Sequence, residues 1–189
     1  MTKDRPSERA EGPLPGALSG HRLIDRVVRV DHAGEYGAKR IYEGQLAVLG
    51  DDPELGPVLR HMAEQEARHL EAFEALIVSR RARPSVLHPI WHAAGYALGA
   101  GTALLGPRAA MACTVAVEEV IDEHYAKQAE QLGDDEPGLT AKIEEFRAEE
   151  LEHRDIGLDH GAEQTPGYRL LSGAIKTGSR VAIWLAERF

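Results

Sequence analysis

Glu35, Tyr42 and Gln45 recur 83 positions later as Glu118, Tyr125 and Gln128, and Glu66-Ala67-Arg68-His69 recurs 84 positions later as Glu150-Leu151-Glu152-His153. One E-x-x-H means little in a chain with 21 Glu and 9 His, where chance alone supplies such a match. The shared register is what constrains the fold. Residues three apart on a helix present their side chains to the same side, so each Glu-His pair forms one two-toothed face. The separation from Glu35 to Glu66, and from Glu118 to Glu150, lets the chain finish one helix, turn, and climb back to the same height. Each half then contributes one Glu and one Glu-His pair at one level. Superimposing the halves about a shared bundle axis brings four carboxylates and two imidazoles together, the ligand set of a carboxylate-bridged di-iron or di-manganese centre. Without cations, carboxylates at that density repel one another and resist burial. Oxygen and imidazole ligands without thiolate suit iron or manganese better than a structural zinc.

Propensity agrees with a helical architecture. Alternating runs of β-branched residues are missing, while Ala, Leu, Glu, Arg and Gln fill segments many turns long, so the chain reads as all-α. Breakers divide it. A first helix is expected from about His21 to Leu49, closed by Asp51-Asp52-Pro53, and a second from about Glu54 to Arg81, followed by Pro84 and Pro89. A third helical region ends at Gly133, a fourth helix ends near His160, and Pro166-Gly167 introduces a short last helix to Phe189. Four long helices with two short links and one long middle connection describe a bundle that crosses over once. Residues 1–20, with Pro6, Pro13 and Pro15, read as a disordered leader, and 21–189 as the bundle.

The middle connection, from Val86 to Glu118 with its apolar segment at 86–112, is unusual. Between His92 and Arg108 lie 15 residues without a charge, too few for a helix that needs about 20 apolar residues to span a bilayer. Gly95, Gly99, Gly101 and Gly106 make it a poor helix in water. It is expected either as a core helix or as a segment that meets a membrane surface. Lys176, Arg180 and Arg188 would add attraction to anionic lipid.

Other chemistries are excluded. With 22 Lys and Arg against 31 Asp and Glu, a formal charge of −9, nucleic acid is not expected as a partner. The single cysteine, Cys113, reads as a small buried hydrophobe in a reducing compartment. No Gly-rich loop follows a strand, so no dinucleotide fold is encoded, and no nucleophile elbow is present. Tyr42 and Tyr125 lie two turns from Glu35 and Glu118 on nearly the same face, as partners of the carboxylates or as core residues. His124 is placed either at a substrate entrance or as a bystander. Glu149, beside the repeat but out of its ligand register, is expected on a solvated face, as are Glu64, Glu71, Glu119 and Glu152.

At these residues the sequence resembles the di-iron demethoxyubiquinone hydroxylases of ubiquinone biosynthesis, members of the ferritin-like superfamily. RVDHAGEYGAKRIYEGQ, ACTVAVEEVIDEHYAKQ, EELEHRDIGLDH and GSRVAIWLAERF carry the likeness, which runs from Arg29 to Phe189. The resemblance implies a ferritin-like bundle and ligation of two irons, with manganese as a possible substitute, by Glu35, Glu66, His69, Glu118, Glu150 and His153. It implies that His124 and Tyr125 flank the site. The implied reaction inserts one oxygen atom from O2 into the unsubstituted ring carbon of a polyprenylated methoxy-benzoquinol. Electrons would come from NADH, from a partner protein of ubiquinone biosynthesis, or through the quinone. The implied location is the cytoplasmic side of a bacterial cell membrane, bound peripherally. The prenyl tail is expected along Ile90 to Ala112, with the ring near Glu118 and Tyr125.

Overall fold

The computed structural model describes residues 20–189; the leader expected at the N-terminus lies almost wholly outside them. Six α-helices follow in order: α1 Gly20–Leu49, α2 Leu55–Arg80, α3 His88–Leu104, α4 Pro107–Leu132, α5 Pro137–Asp159 and α6 Tyr168–Ala186, with a short 3-10 turn at Ala162–Gln164. No strand occurs among the described residues. The turns follow local chemistry. Oδ1 of Asp52 accepts the N–H groups of Glu54 and Leu55 at 2.9 and 2.8 Å, which satisfies donors that the start of α2 would otherwise leave open. Between α3 and α4, Gly106 adopts φ 115°, a backbone state that a side chain would strain.

Two antiparallel hairpins, α1/α2 and α4/α5, form the bundle that the repeat predicts. Phe73, Tyr125, Ile143 and Phe146 pack one end of its interior, and Tyr42, Leu59, Met62 and Met111 the other. The buried acids and histidines lie between these two apolar plugs in the sequence of each helix, at mid-bundle height.

The middle connection departs from a simple crossover. Its glycines do not prevent a helix, because they are the surface through which α3 packs on α1. A Cβ at Gly99 would lie 1.9 Å from the carbonyl oxygen of Ile41, and one at Gly95 2.8 Å from that of Gly37. Close backbone approach therefore replaces helix propensity as the reason these residues are helical. The structure thus has a fifth long helix where a connection was expected, and the C-terminal helix, at 19 residues, is longer than the short one anticipated. Helix α3 lies along α1 and α6 along α4, so the pair forms an outer layer on one side of the bundle. Among the described residues, no helix is long and apolar enough to cross a membrane.

Candidate metal centre

Each of the four bundle helices delivers its share of one cluster. Helix α1 supplies Glu35, α2 supplies Glu66 and His69, α4 supplies Glu118, and α5 supplies Glu150 and His153. All six are buried, none above 3 % exposed. They form two groups able to hold a metal ion. In one, ligand atoms of Glu35, Glu66, His69 and Glu150 lie within 4.8 Å of one another; in the other, those of Glu66, Glu118, Glu150 and His153 do. Glu66 and Glu150 belong to both groups, as carboxylates bridging two adjacent cations would. Glu35 and Glu118 each belong to one.

Orientation points the same way. Nδ1 of His69 lies 3.2 Å from Glu150 and 3.4 Å from Glu35, and Nδ1 of His153 lies 3.2 Å from both Glu66 and Glu150. Buried oxygens on Glu35, Glu66, Glu118 and Glu150, and Nδ1 of His69, have no hydrogen-bond partner. Buried polar atoms without partners are costly unless something else satisfies them, and a cation at the convergence of these atoms does so.

The titration of the cluster expresses the same conflict. Burial raises the carboxyls of Glu35, Glu66 and Glu118 above the usual range, and the charge of Glu150 pushes in the same direction. Burial opposes ionisation of Glu150 too, but the flanking His153 and His69 outweigh it and hold this carboxyl at about 2. Burial likewise opposes a charge on His69, yet the carboxylates of Glu150 and Glu35 beside it lift the imidazole to about 12. The site thus favours positive charge at its centre.

The outer contacts cross between the halves. Tyr42 donates to Oε1 of Glu118 at 2.9 Å, and Tyr125 donates to Oε1 of Glu35. Carboxylate oxygens only accept, so Nε2 of His69 carries a hydrogen and donates it in the 2.9 Å bond to Glu149. Nε2 of His153 bonds Oε1 of Gln65 at 3.0 Å. Both imidazoles are therefore held with Nδ1 turned inward. His124 sits beside Tyr125, with Nε2 3.4 Å from Asp31 and 2.8 Å from Nε2 of Gln128.

An apolar cavity of about 300 Å³ opens between the bundle and its outer layer, lined by Ile41, Trp91, Leu98, Val117, Ile121 and Ile183 among others. Val117 adjoins the cluster residue Glu118 in sequence, and Ile41 adjoins Tyr42, which bonds Glu118. Only the first part of the apolar segment reaches this cavity. Ala109, Ala110, Met111 and Ala112 are packed inside the bundle at 3 % exposure or less, so the expected course of a tail along Ile90 to Ala112 is available only as far as about Leu98.

The comparisons with known proteins bear on this geometry. A family model described as "Ubiquinone biosynthesis protein COQ7" matches residues 22–186. The chain belongs to the COQ7 family. Relatives of this family include a Rhodospirillum rubrum protein named 3-demethoxyubiquinol 3-hydroxylase, 61% identical over 95% of this chain and 84% of its own. A human protein named NADPH-dependent 3-demethoxyubiquinone 3-hydroxylase, mitochondrial, is 56% identical over 87% of this chain and 77% of its own. A Saccharomyces cerevisiae protein named 5-demethoxyubiquinone hydroxylase, mitochondrial, is 46% identical over 88% and 78%.

In this COQ7-family chain all six residues singled out by the repeat converge, and Tyr42 and Tyr125 both bond to carboxylates of the cluster. Glu149 requires correction. It is not on a solvated face; its side chain is 22 % exposed and bonds His69. Gln65 was overlooked. The signal was available, because 65 and 149 are themselves 84 residues apart and each precedes a Glu of an E-x-x-H. Unlike residues at the two positions concealed it.

Proposed function

We propose that this chain is a di-iron hydroxylase that places one oxygen atom of O2 on the unsubstituted ring carbon of a prenylated demethoxyubiquinol; the relatives' names give the hydroxylation of demethoxyubiquinol. The observation that carries the reading is the pair of buried four-residue groups sharing Glu66 and Glu150. Glu35, Glu66, His69 and Glu150 would hold one iron, and Glu66, Glu118, Glu150 and His153 the other. The oxygen-rich donor set, without thiolate, suits iron, and manganese would fit as a substitute. Bound irons supply the redox chemistry that lets O2 react with a ring C–H bond, the second oxygen leaving as water with two electrons and two protons.

The chain's own groups supply placement. Tyr42 and Tyr125 fix one oxygen each of Glu118 and Glu35, leaving the other free to face inward. The cavity lined by Trp91, Leu98 and Ile183 offers the apolar environment that a quinol ring and the start of its tail require. His124 and Tyr125 flank the Glu35 side. With no dinucleotide fold among the described residues, the two electrons come from a nicotinamide donor, NADH or the NADPH named for the human relative, reacting directly, through the quinone, or through a partner protein.

A peripheral position on the cytoplasmic face of a bacterial membrane goes with such a substrate. Its support is apolar: Ile90, Leu104 and Leu105 from the α3 region and Val181 and Trp184 from α6 are more than half exposed. The basic residues contribute less than their sequence suggests, since Lys176 pairs with Glu119 and Arg180 with Glu123. Replacing Leu104 and Leu105 with Glu should release the protein from vesicles without loss of metal; equal flotation of variant and parent would remove the membrane from this reading.

The decisive experiment is quinone profiling. A strain lacking the gene, with no second hydroxylase, should accumulate the demethoxy quinone and regain ubiquinone with the parent gene but not with Glu118→Ala. Normal ubiquinone in the deletion strain would overturn the proposal.

A further inference from the structure

The repeat pairs Gln65 with Glu149, just as it pairs Glu66 with Glu150 and His69 with His153. Each of the two reaches across the bundle to the histidine of the other half. Glu149 accepts from Nε2 of His69 at 2.9 Å, and Gln65 accepts from Nε2 of His153 at 3.0 Å. They also meet each other, Nε2 of Gln65 donating to Oε2 of Glu149 at 3.3 Å. A continuous chain therefore runs from His69 through Glu149 and Gln65 to His153, on the side of the imidazoles away from the cluster.

At the ligand positions and at the two tyrosines the halves are chemically identical. Behind the histidines they are not, because one imidazole is backed by a carboxylate and the other by a neutral amide. A carboxylate accepting an imidazole N–H draws the proton toward itself and leaves more electron density on the other ring nitrogen, which makes that nitrogen the stronger ligand. An amide oxygen does this less. Arg68 touches Glu149 at 3.1 Å, but its side chain is 56% exposed, so water screens its charge and the carboxylate keeps most of its effect on His69.

We infer that Glu149 and Gln65 are positioning residues for the metal pair, and that the difference between them makes the two positions unequal, the Glu35–His69 position holding its ion more tightly. This rests on the reading that the six cluster residues are ligands. Gln65 also positions both histidines: by giving its N–H to Glu149 it is obliged to turn its oxygen to His153, so one bridge holds Nε2 of each imidazole as an outward donor.

The test is a titration of metal-free protein with Mn2+, followed by calorimetry and by electron paramagnetic resonance, so that the readout does not depend on hydroxylation. The parent should bind two ions in two steps separated by about tenfold to a hundredfold, the range of such outer-contact effects. Glu149→Gln, which keeps the shape and an acceptor oxygen but loses the charge, should weaken the first step until it approaches the second. The exchanged pair Glu149→Gln with Gln65→Glu keeps one carboxylate and one amide, now behind the opposite histidines, and should restore two separated steps. In 57Fe-loaded protein, two distinct Mössbauer doublets in the parent should converge in Glu149→Gln and separate again in the exchanged pair. Equal steps in the parent, or parent-like steps in Glu149→Gln, would overturn the inference while leaving the metal centre intact. A parent that binds no metal would instead sink the reading of the centre itself. Should Glu149→Gln fail to fold, the Mössbauer spectra of the parent and the exchanged pair still decide the matter, because cation repulsion between sites that share Glu66 and Glu150 separates binding steps without making two iron environments distinct, and a single doublet in either protein would overturn the inference.

Discussion

The phenol of Tyr42 donates a 2.9 Å hydrogen bond to Oε1 of Glu118, 76 residues further along the chain, and Tyr125 makes the reciprocal bond to Glu35. Each tyrosine serves the carboxylate of the other half, so neither helix pair forms a complete site alone. Both phenols are held above their ordinary range, first by burial and then by the carboxylates around them, and so remain donors at any physiological pH. Tyr42→Phe removes the only hydrogen of this bond while preserving the ring. Metal affinity should fall about tenfold with helicity unchanged, as read by calorimetric titration; undiminished affinity would reduce the phenol to a packing group.

Shared and unshared carboxylates should behave differently. Glu66 and Glu150 belong to both four-residue groups, whereas Glu35 and Glu118 belong to one each. Glu66→Ala and Glu150→Ala should each bring bound iron well below two per chain and disturb both ions. Glu35→Ala and Glu118→Ala should each spare one. Metal analysis of purified variants separates the classes, and two irons per chain in Glu66→Ala and Glu150→Ala would defeat the ligand assignment.

The glycines of α3 are not equivalent. A Cβ at Gly99 would collide with backbone of Ile41, which cannot yield as a side-chain tip could, while one at Gly101 meets nothing within 4 Å. Gly99→Ala should cost about 1–3 kcal/mol, as overpacking does, and push α3 away from α1. Gly101→Ala should be neutral or stabilising by up to about 1 kcal/mol through helix propensity. Denaturant unfolding of the two variants checks the contrast.

Acid should weaken the seam between α1 and α3. Nε2 of His88 and Nδ1 of His32 share a 3.2 Å hydrogen bond, which needs one nitrogen with a free lone pair. Burial, and for His32 also the charge of His88, holds both imidazoles below the ordinary 6.5, with Glu74 on α2 opposing. The unfolded chain therefore takes up protons first as pH falls, and stability is lost from about 6.5 downward through the lower folded values. The fall in melting temperature between about pH 7.5 and pH 5.5 should be smaller in His88→Gln than in the parent. An identical fall would place the acid sensitivity elsewhere.

Much of the site was legible in one dimension because a twofold repeat carries its own geometry. Register selected Glu35, Glu66, His69, Glu118, Glu150 and His153 from an acidic background, since equal spacing in two helix pairs implies equal height in one bundle. Breakers placed the C-terminal ends of α1, α2, α4 and α5 to within a residue or two, whereas the first half of α4 fell inside the stretch read as a connection. Helix α3 was ambiguous for a physical reason: glycine disfavours an isolated helix and favours one pressed against another backbone, and only the presence of α1 decides between them. The same limit applies to Gln65 and Glu149. An amide and a carboxylate 84 residues apart look unrelated until the bundle closes and each meets the histidine of the opposite half. Sequence alone determined which groups had to meet; tertiary structure decided what stands behind them, because outer contacts depend on distances between helices, and no spacing along the chain encodes those.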